Sequence, residues 1–428
     1  MGMNQAPSKY ALRVQKRAIF FIITIAVVIF GYSWLKEYLQ DPYDKPSDTR
    51  DMIAAVKQTD SGSQLVMLKE DGTETPCPGY EAGKIDKAPV WRPDGNVVAF
   101  LSDRGGGAFM VHRWSIGADQ QEPRTAGTRS FTSAYFGPFG NEVKDLLVTQ
   151  GGQVFAVNLR ENTSRTVLPP KDAQMAGGGD EGGNVSSFQA KYDKYGTSFK
   201  EAKWFGDHSV IVAVMKREEG EVLIVQSRAT LKAPDGSERT PDPMPIVAAE
   251  KIDFDVSEDG TLVASIFGFQ FIDQDNIPKD FIKDGKVTPP FKHGVAWAKL
   301  LDLMEKKDNA NGYLVLSQDD KIAFARPRIA PGGQELLLLA GRSDNDQFVP
   351  SGMVRMPIKE NGGAEGSIVK PGVIMAADWH PKGEKIVFIE RLNNKSGVYT
   401  VSAVGQELKK ISDSADFLNA AFSPQTAK

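Results

Sequence analysis

Cysteine is nearly absent: Cys77 is the only one among 428 residues, so no intrachain disulfide can form. Flanked by Pro76 and Pro78, it reads as a half-buried structural thiol. Histidine is scarce too, and His112, His208, His293 and His380 are too scattered to give a zinc spacing. No G-x-S-x-G occurs, and the chain runs only to Lys428, a few residues past the last strand pattern, so an α/β-hydrolase domain is not expected. Neither sign of charge dominates: the formal net charge is -4, and no segment combines clustered Lys and Arg with stacking aromatics, which excludes the footprint of a nucleic-acid binder. Asp273, Asp275, Asn276 and Asp280 have the composition of a calcium loop, but the Gly and closing Glu are not at the required spacing, so a solvated acidic turn is expected.

One long apolar run is present. Residues 1–17 carry Lys9, Arg13, Lys16 and Arg17 with no acidic residue, and Ala18 to Leu35 follows without a charge. As a helix, that run would be about 27 Å long, enough to cross a hydrocarbon core. Tyr32 and Trp34 stand at its far end, where amphipathic rings favour the headgroup region. A cleavable signal peptide has the same order of features, but bulky Trp34 and Leu35 replace the small residues of a cleavage site. The expectation is a single-pass anchor at 18–35 in the inner membrane, with 1–17 in the cytoplasm, a tether at 36–50, and the remainder in the periplasm or cell exterior.

From Met52 onward a pattern recurs: a short strand, a Pro/Gly/Asp corner, then a run of Val, Ile, Leu or Ala. Corners open at Pro89, Ala134, Ala202, Asp253, Arg326 and Ala377. A repeat of this size is one small antiparallel meander, which buries its apolar face only by stacking on copies of itself. The two chain ends hold complementary fragments. Met52 to Thr75 lacks an opening strand, and Asn419 to Gln425 is an opening strand with nothing after it. Joined, they add one further unit and close a ring without an exposed sheet edge. The predicted fold is therefore all-β, a β-propeller of seven four-stranded blades (six if one repeat is degenerate) over 51–425, behind one N-terminal transmembrane helix. Insertions are expected at 173–196, a polar loop, and 268–312. In the second, Trp297, Leu300, Leu301 and Met304 fall at i, i+3, i+4 and i+7, which predicts a helix over Val295 to Lys306 able to pack on the rim or dock a partner.

Trp91, Pro93, Asp94 and Gly95, followed by Ser102-Asp103-Arg104, and Trp379, Pro381 and Gly383 make corners that resemble the repeats of the TolB-type, WD40-like β-propeller family. Gln64 to Glu74 resembles a later strand of that repeat and its closing turn. The resemblance covers residues 52–425, although Phe205-Gly206-Asp207 lacks the Pro and Val256-Ser257-Glu258 lacks the aromatic. It implies a non-catalytic platform in a bacterial envelope. The functional expectation is thus a membrane-anchored scaffold or accessory subunit partnered by other envelope proteins, not an enzyme and without a cofactor or metal. The alternatives are a periplasmic binding protein for a small ligand, peptide or glycan at the channel, and more remotely an enzyme with a channel metal. Asp94, Asp103 and Arg104 are expected to cap turns and bridge strands rather than to catalyse.

Overall fold

Short runs of β-branched and aliphatic residues form strands wherever the corners interrupt them. Val97–Ser102 and Lys385–Leu392 are examples, each with a block of fully buried positions flanked by turns. The computed structural model describes residues 47–425 except 118–122, 127–134, 140–144, 151, 160, 170–194, 197, 206–208, 230, 233–237, 274, 276, 306–313, 345–346 and 360–364. The expected segments 1–17 and 18–35, residues 36–46 of the tether, and most of the 173–196 insertion lie outside the described residues. Among the described residues no helix is long and apolar enough to cross a membrane. The expected single-pass inner-membrane placement therefore has no support from the described residues.

Antiparallel meanders follow one another in chain order. We label the strand that opens each: β1 (Asp86–Trp91), β2 (Tyr135–Phe139), β3 (Ser198–Phe205), β4 (Met244–Val256), β5 (Ile322–Ile329), β6 (Ile374–Trp379) and β7 (Phe417–Phe422). Among the described residues five sheets are four-stranded, and one joins seven strands. Strand β4 explains the larger sheet. Its first residues, Met244 to Ala249, pair with Glu221 to Val225, while Ala248 to Val256 pair with Leu262 to Gln270. One continuous strand thus leaves one meander and opens the next.

The opening strands touch one another in sequence, and β7 touches β1, so the cycle is closed. Closure is a strand pairing between the two ends of the described chain. Ile53–Gln58 pairs with Ser63–Leu68 on one side and with β7 on the other, in the register Ile53 to Phe422 and Val56 to Asn419. The two half-repeats thus complete one sheet, as their sequences predict. The core lies between successive sheets; Val387, Ile389 and Val398, for example, pack on Ile53, Val66, Leu68 and Phe417. This is the arrangement of a β-propeller, in which no long sheet edge is left bare.

The 268–312 insertion departs from expectation. Val295 to Trp297 belong to strand His293–Lys299, laddered to Val263 to Ser265, and the helix (α1, Leu300–Glu305) begins only afterwards. Ladder hydrogen bonds on both sides of that strand outweigh the helical periodicity of a few apolar residues. Trp297 and Leu300 are buried, Met304 packs on the core, and only Leu301 is exposed, so the segment does not offer the expected apolar docking face.

The corner at Gly95 is where closure is most exacting. Gly95 has φ +70, and an added Cβ would meet Gln425 Cγ at 2.4 Å, Ser423 Oγ at 2.8 Å and Thr49 Oγ1 at 2.9 Å. Those residues form the latch: Thr49 Oγ1 donates to Gly95 O at 2.8 Å, and Gln425 Nε2 donates to Ser47 O and Asp94 O, each at 2.9 Å. Gly95→Ala should cost about 1–3 kcal/mol in urea unfolding. Gly83→Ala shares the positive φ but has open space around its Cβ. It should cost about 1 kcal/mol or less, and equal losses at both sites would show that the latch is not strained.

Candidate functional site

The corners repeat in detail. The N–H groups of Arg92, Ser257, Ala330 and His380 each donate across the turn, to the carbonyls of Val97, Thr261, Glu335 and Lys385, and each turn is closed by a glycine N–H. The expected corner residues sit here. Trp91 and Trp379 are buried, and their Nε1 atoms donate to Ala421 O at 3.1 Å and Arg328 O at 3.0 Å on the preceding opening strand. Asp94 accepts from Asn96 N at 3.1 Å and pairs with Arg92 at 2.7 Å. Burial alone would raise its carboxyl, but these bonds hold it below the usual range. Pro93, Pro381 and Gly383 complete the turns. His380 accepts from Lys382 N on Nδ1 at 3.3 Å, which leaves its Nε2–H to Asp51 Oδ1 at 2.9 Å. Asp103 accepts from Ile85 N at 2.7 Å, and Arg104 forks onto buried Asp86 with Nη2 at 2.5 Å from Oδ2. Cys77 is fully buried rather than half-buried, and burial pushes its thiol pKa up.

Shared ladder positions make the opening strands directly comparable. Trp91, Trp204, Ile329 and Trp379 each lie opposite the residue seven further on, and Val256 lies opposite Leu262. The residue just before each is therefore equivalent. On four consecutive strands it is Lys203, Asp255, Arg328 and Asp378, a row of alternating charge; on β7 and β1 it is Ala421 and Val90. Sequence reasoning missed this row, although aligning the corners and reading one residue before the aromatic position would have exposed it.

Most of the row is spoken for. Lys203 is buried, and its Nζ donates to Phe254 O at 2.7 Å and Asp255 Oδ1 at 3.0 Å, with Glu201 Oε1 at 3.6 Å. Asp255 Oδ2 accepts from Ile329 N at 2.9 Å. Burial by itself would raise the Asp255 carboxyl, but the Lys203 and Arg328 charges and the Ile329 N–H hold it down. One step back along the strands, Asp253 Oδ2 accepts from Arg326 N at 3.0 Å, and Arg326 Nη1 reaches Met375 O.

Asp378 differs. It is half-buried, and among the described residues it makes no salt bridge. Burial and the Asp255 carboxylate push its pKa up to about 6, against the pull of Arg328 and the Trp379 N–H. Among the described residues no group of three or more His, Cys, Asp or Glu is placed to hold a metal.

No protein-family model matches the chain. A stretch of 139 residues is 27% identical to a Bacillus subtilis protein described as "Uncharacterized peptidase YuxL", covering 31% of this chain and 20% of that protein. The chain thus spans a fifth of the curated relative it matches. Among solved structures, a post-proline cleaving enzyme from Rickettsia typhi aligns with TM-score 0.51 at 9% identity, over 89% of this chain and 54% of the other. TolB from Acinetobacter baumannii aligns with TM-score 0.48 at 12% identity, over 88% of this chain and 68% of the other. The β-propeller fold that the TolB-type resemblance implies is the fold that the sheets themselves form. The expectation of a non-catalytic scaffold is corrected on one finding: the curated protein that shares sequence with the chain is described as a peptidase.

The Asp378 carboxyl makes stability depend on pH with a definite sign. Its folded pKa lies above the unfolded value, so the folded state binds the proton more tightly, and ionisation costs stability as pH rises from about 4 through about 6. The rise corresponds to about 3 kcal/mol as an upper bound. Urea unfolding of Asp378→Asn should therefore show a gain approaching that figure near about pH 8 and almost none near about pH 4. The same gain at both would mean that the charge is not the cause.

Proposed function

We propose that the chain forms a seven-bladed β-propeller over residues 51–425 and that it handles peptides, as the propeller of a peptidase. The blade count is supported by treating the two halves of β4 as the last strand of one blade and the first of the next, and by the pairing of β7 with Ile53–Gln58. The observation that carries the peptide reading is the 139-residue likeness to the Bacillus subtilis peptidase. The similarity to the post-proline cleaving enzyme speaks for the fold alone.

The chemistry of the opening strands is compatible with that task. An unfolded peptide brings an ammonium and a carboxylate at its ends, and the row of the propeller carries both signs, with Asp378 the member that makes no salt bridge among the described residues. With no G-x-S-x-G in the sequence, a nucleophile elbow of that type is not supplied by these residues. The part assigned to the propeller is to bind and present the peptide.

Two measurements on the full chain test the reading. Short fluorophore-labelled peptides should bind, as followed by anisotropy, and a folded protein of similar charge should not compete. Fluorogenic peptide amides, proline-containing ones included, report any hydrolysis. Absence of both binding and turnover across the panel would sink the proposal.

A further inference from the structure

Building on the peptide reading, we infer that Asp378 is the recognition point for a cationic group of the bound peptide, an ammonium or a guanidinium. The inference starts from the equivalence of Lys203, Asp255, Arg328 and Asp378 on β3 to β6. Within that row Lys203 is bonded to the next opening strand and to Asp255, and Asp255 is bonded to Lys203 and Ile329 N. Arg328 Nη1 donates to Pro327 O at 3.0 Å. Asp378, the last of the four, breaks the pattern: among the described residues no cation lies within salt-bridge distance of it, and its own strand supplies only the Trp379 N–H.

The side on which a fifth charge would continue the alternation holds none. The equivalent residue on β7 is Ala421 and on β1 is Val90, one short side chain and one without charge. A half-buried carboxylate with a small neighbour can be reached by a ligand, yet it is shielded enough for an ion pair to count for more than on an open surface. Its unpaired ionised form also lowers the stability of the fold, as derived above, and groups kept at such a cost concentrate at functional sites.

The test uses four-residue alanine peptides with a C-terminal fluorophore. They are made with a free or acetylated N-terminus, and with or without one Lys or Arg, and titrated into wild type, D378N and D378E. Wild type should bind the cationic peptides about tenfold more tightly or better than the acetylated neutral one. D378N should lose that preference while still binding the neutral peptide, and D378E should retain part of it. D378N removes a destabilising charge, so the variant remains folded; its urea transition checks this. The free-amine arm and the Lys/Arg arm distinguish the source of the cation. If D378N discriminates as wild type does, or wild type shows no preference, the Asp378 assignment falls while the peptide reading stands. If wild type binds none of the peptides, both fall.

Discussion

Apart from the entry half of β4, an opening strand has a ladder partner on one side only, so alternate N–H and C=O groups along its other side face the middle of the ring. Each such group would cost about 1–3 kcal/mol if buried unsatisfied. The molecule meets this constraint with side chains from the neighbouring sheets. Trp91 and Trp379 donate to carbonyls on the preceding strand, Lys203 and Arg326 to carbonyls on the following one, and Asp255 and Asp253 accept amides of β5. The same bonds join successive sheets. Packing between the sheets supplies most of the apolar burial, but these polar bonds set which residue of one sheet meets which residue of the next.

Charged residues can do this work only in balance. A lysine buried as deeply as Lys203 is tolerable because Asp255 and two backbone or carboxylate oxygens share its charge. The alternation Lys, Asp, Arg, Asp extends that balance over four strands and then stops, because Ala421 and Val90 carry nothing to continue it. The result is a ring with a polar arc and an apolar arc. Asp378 stands at the boundary, with its carboxyl raised by the same burial that Lys203 and Arg328 offset for Asp255.

Much of the fold was legible because a repeat states its own grammar many times. The corners at Trp91 and Trp379 have the turn hydrogen bonds and buried indoles their sequences imply, and the orphan strand at Asn419 pairs with Ile53–Gln58 as its spacing implies. The segment Val295 to Lys306 was misread, since a short apolar run satisfies both periods and the partner strand decides between them. The functional expectation rested on fold resemblance, which carries no chemistry, and the sequence likeness is to a protein described as a peptidase.

Sequence alone determined the strand-corner-strand unit, its recurrence, and the closure of the ring by the two chain ends, all of which depend on local turn chemistry and alternation. Tertiary structure decided which charges are paired. Lys203, Asp255, Arg328 and Asp378 are separated by roughly 50 to 75 residues along the chain, and each corner taken singly gives no sign that they share a row. The ladder register sets them level, and among the described residues Asp378 makes no salt bridge, because ion pairing depends on distances across sheets that no local pattern encodes.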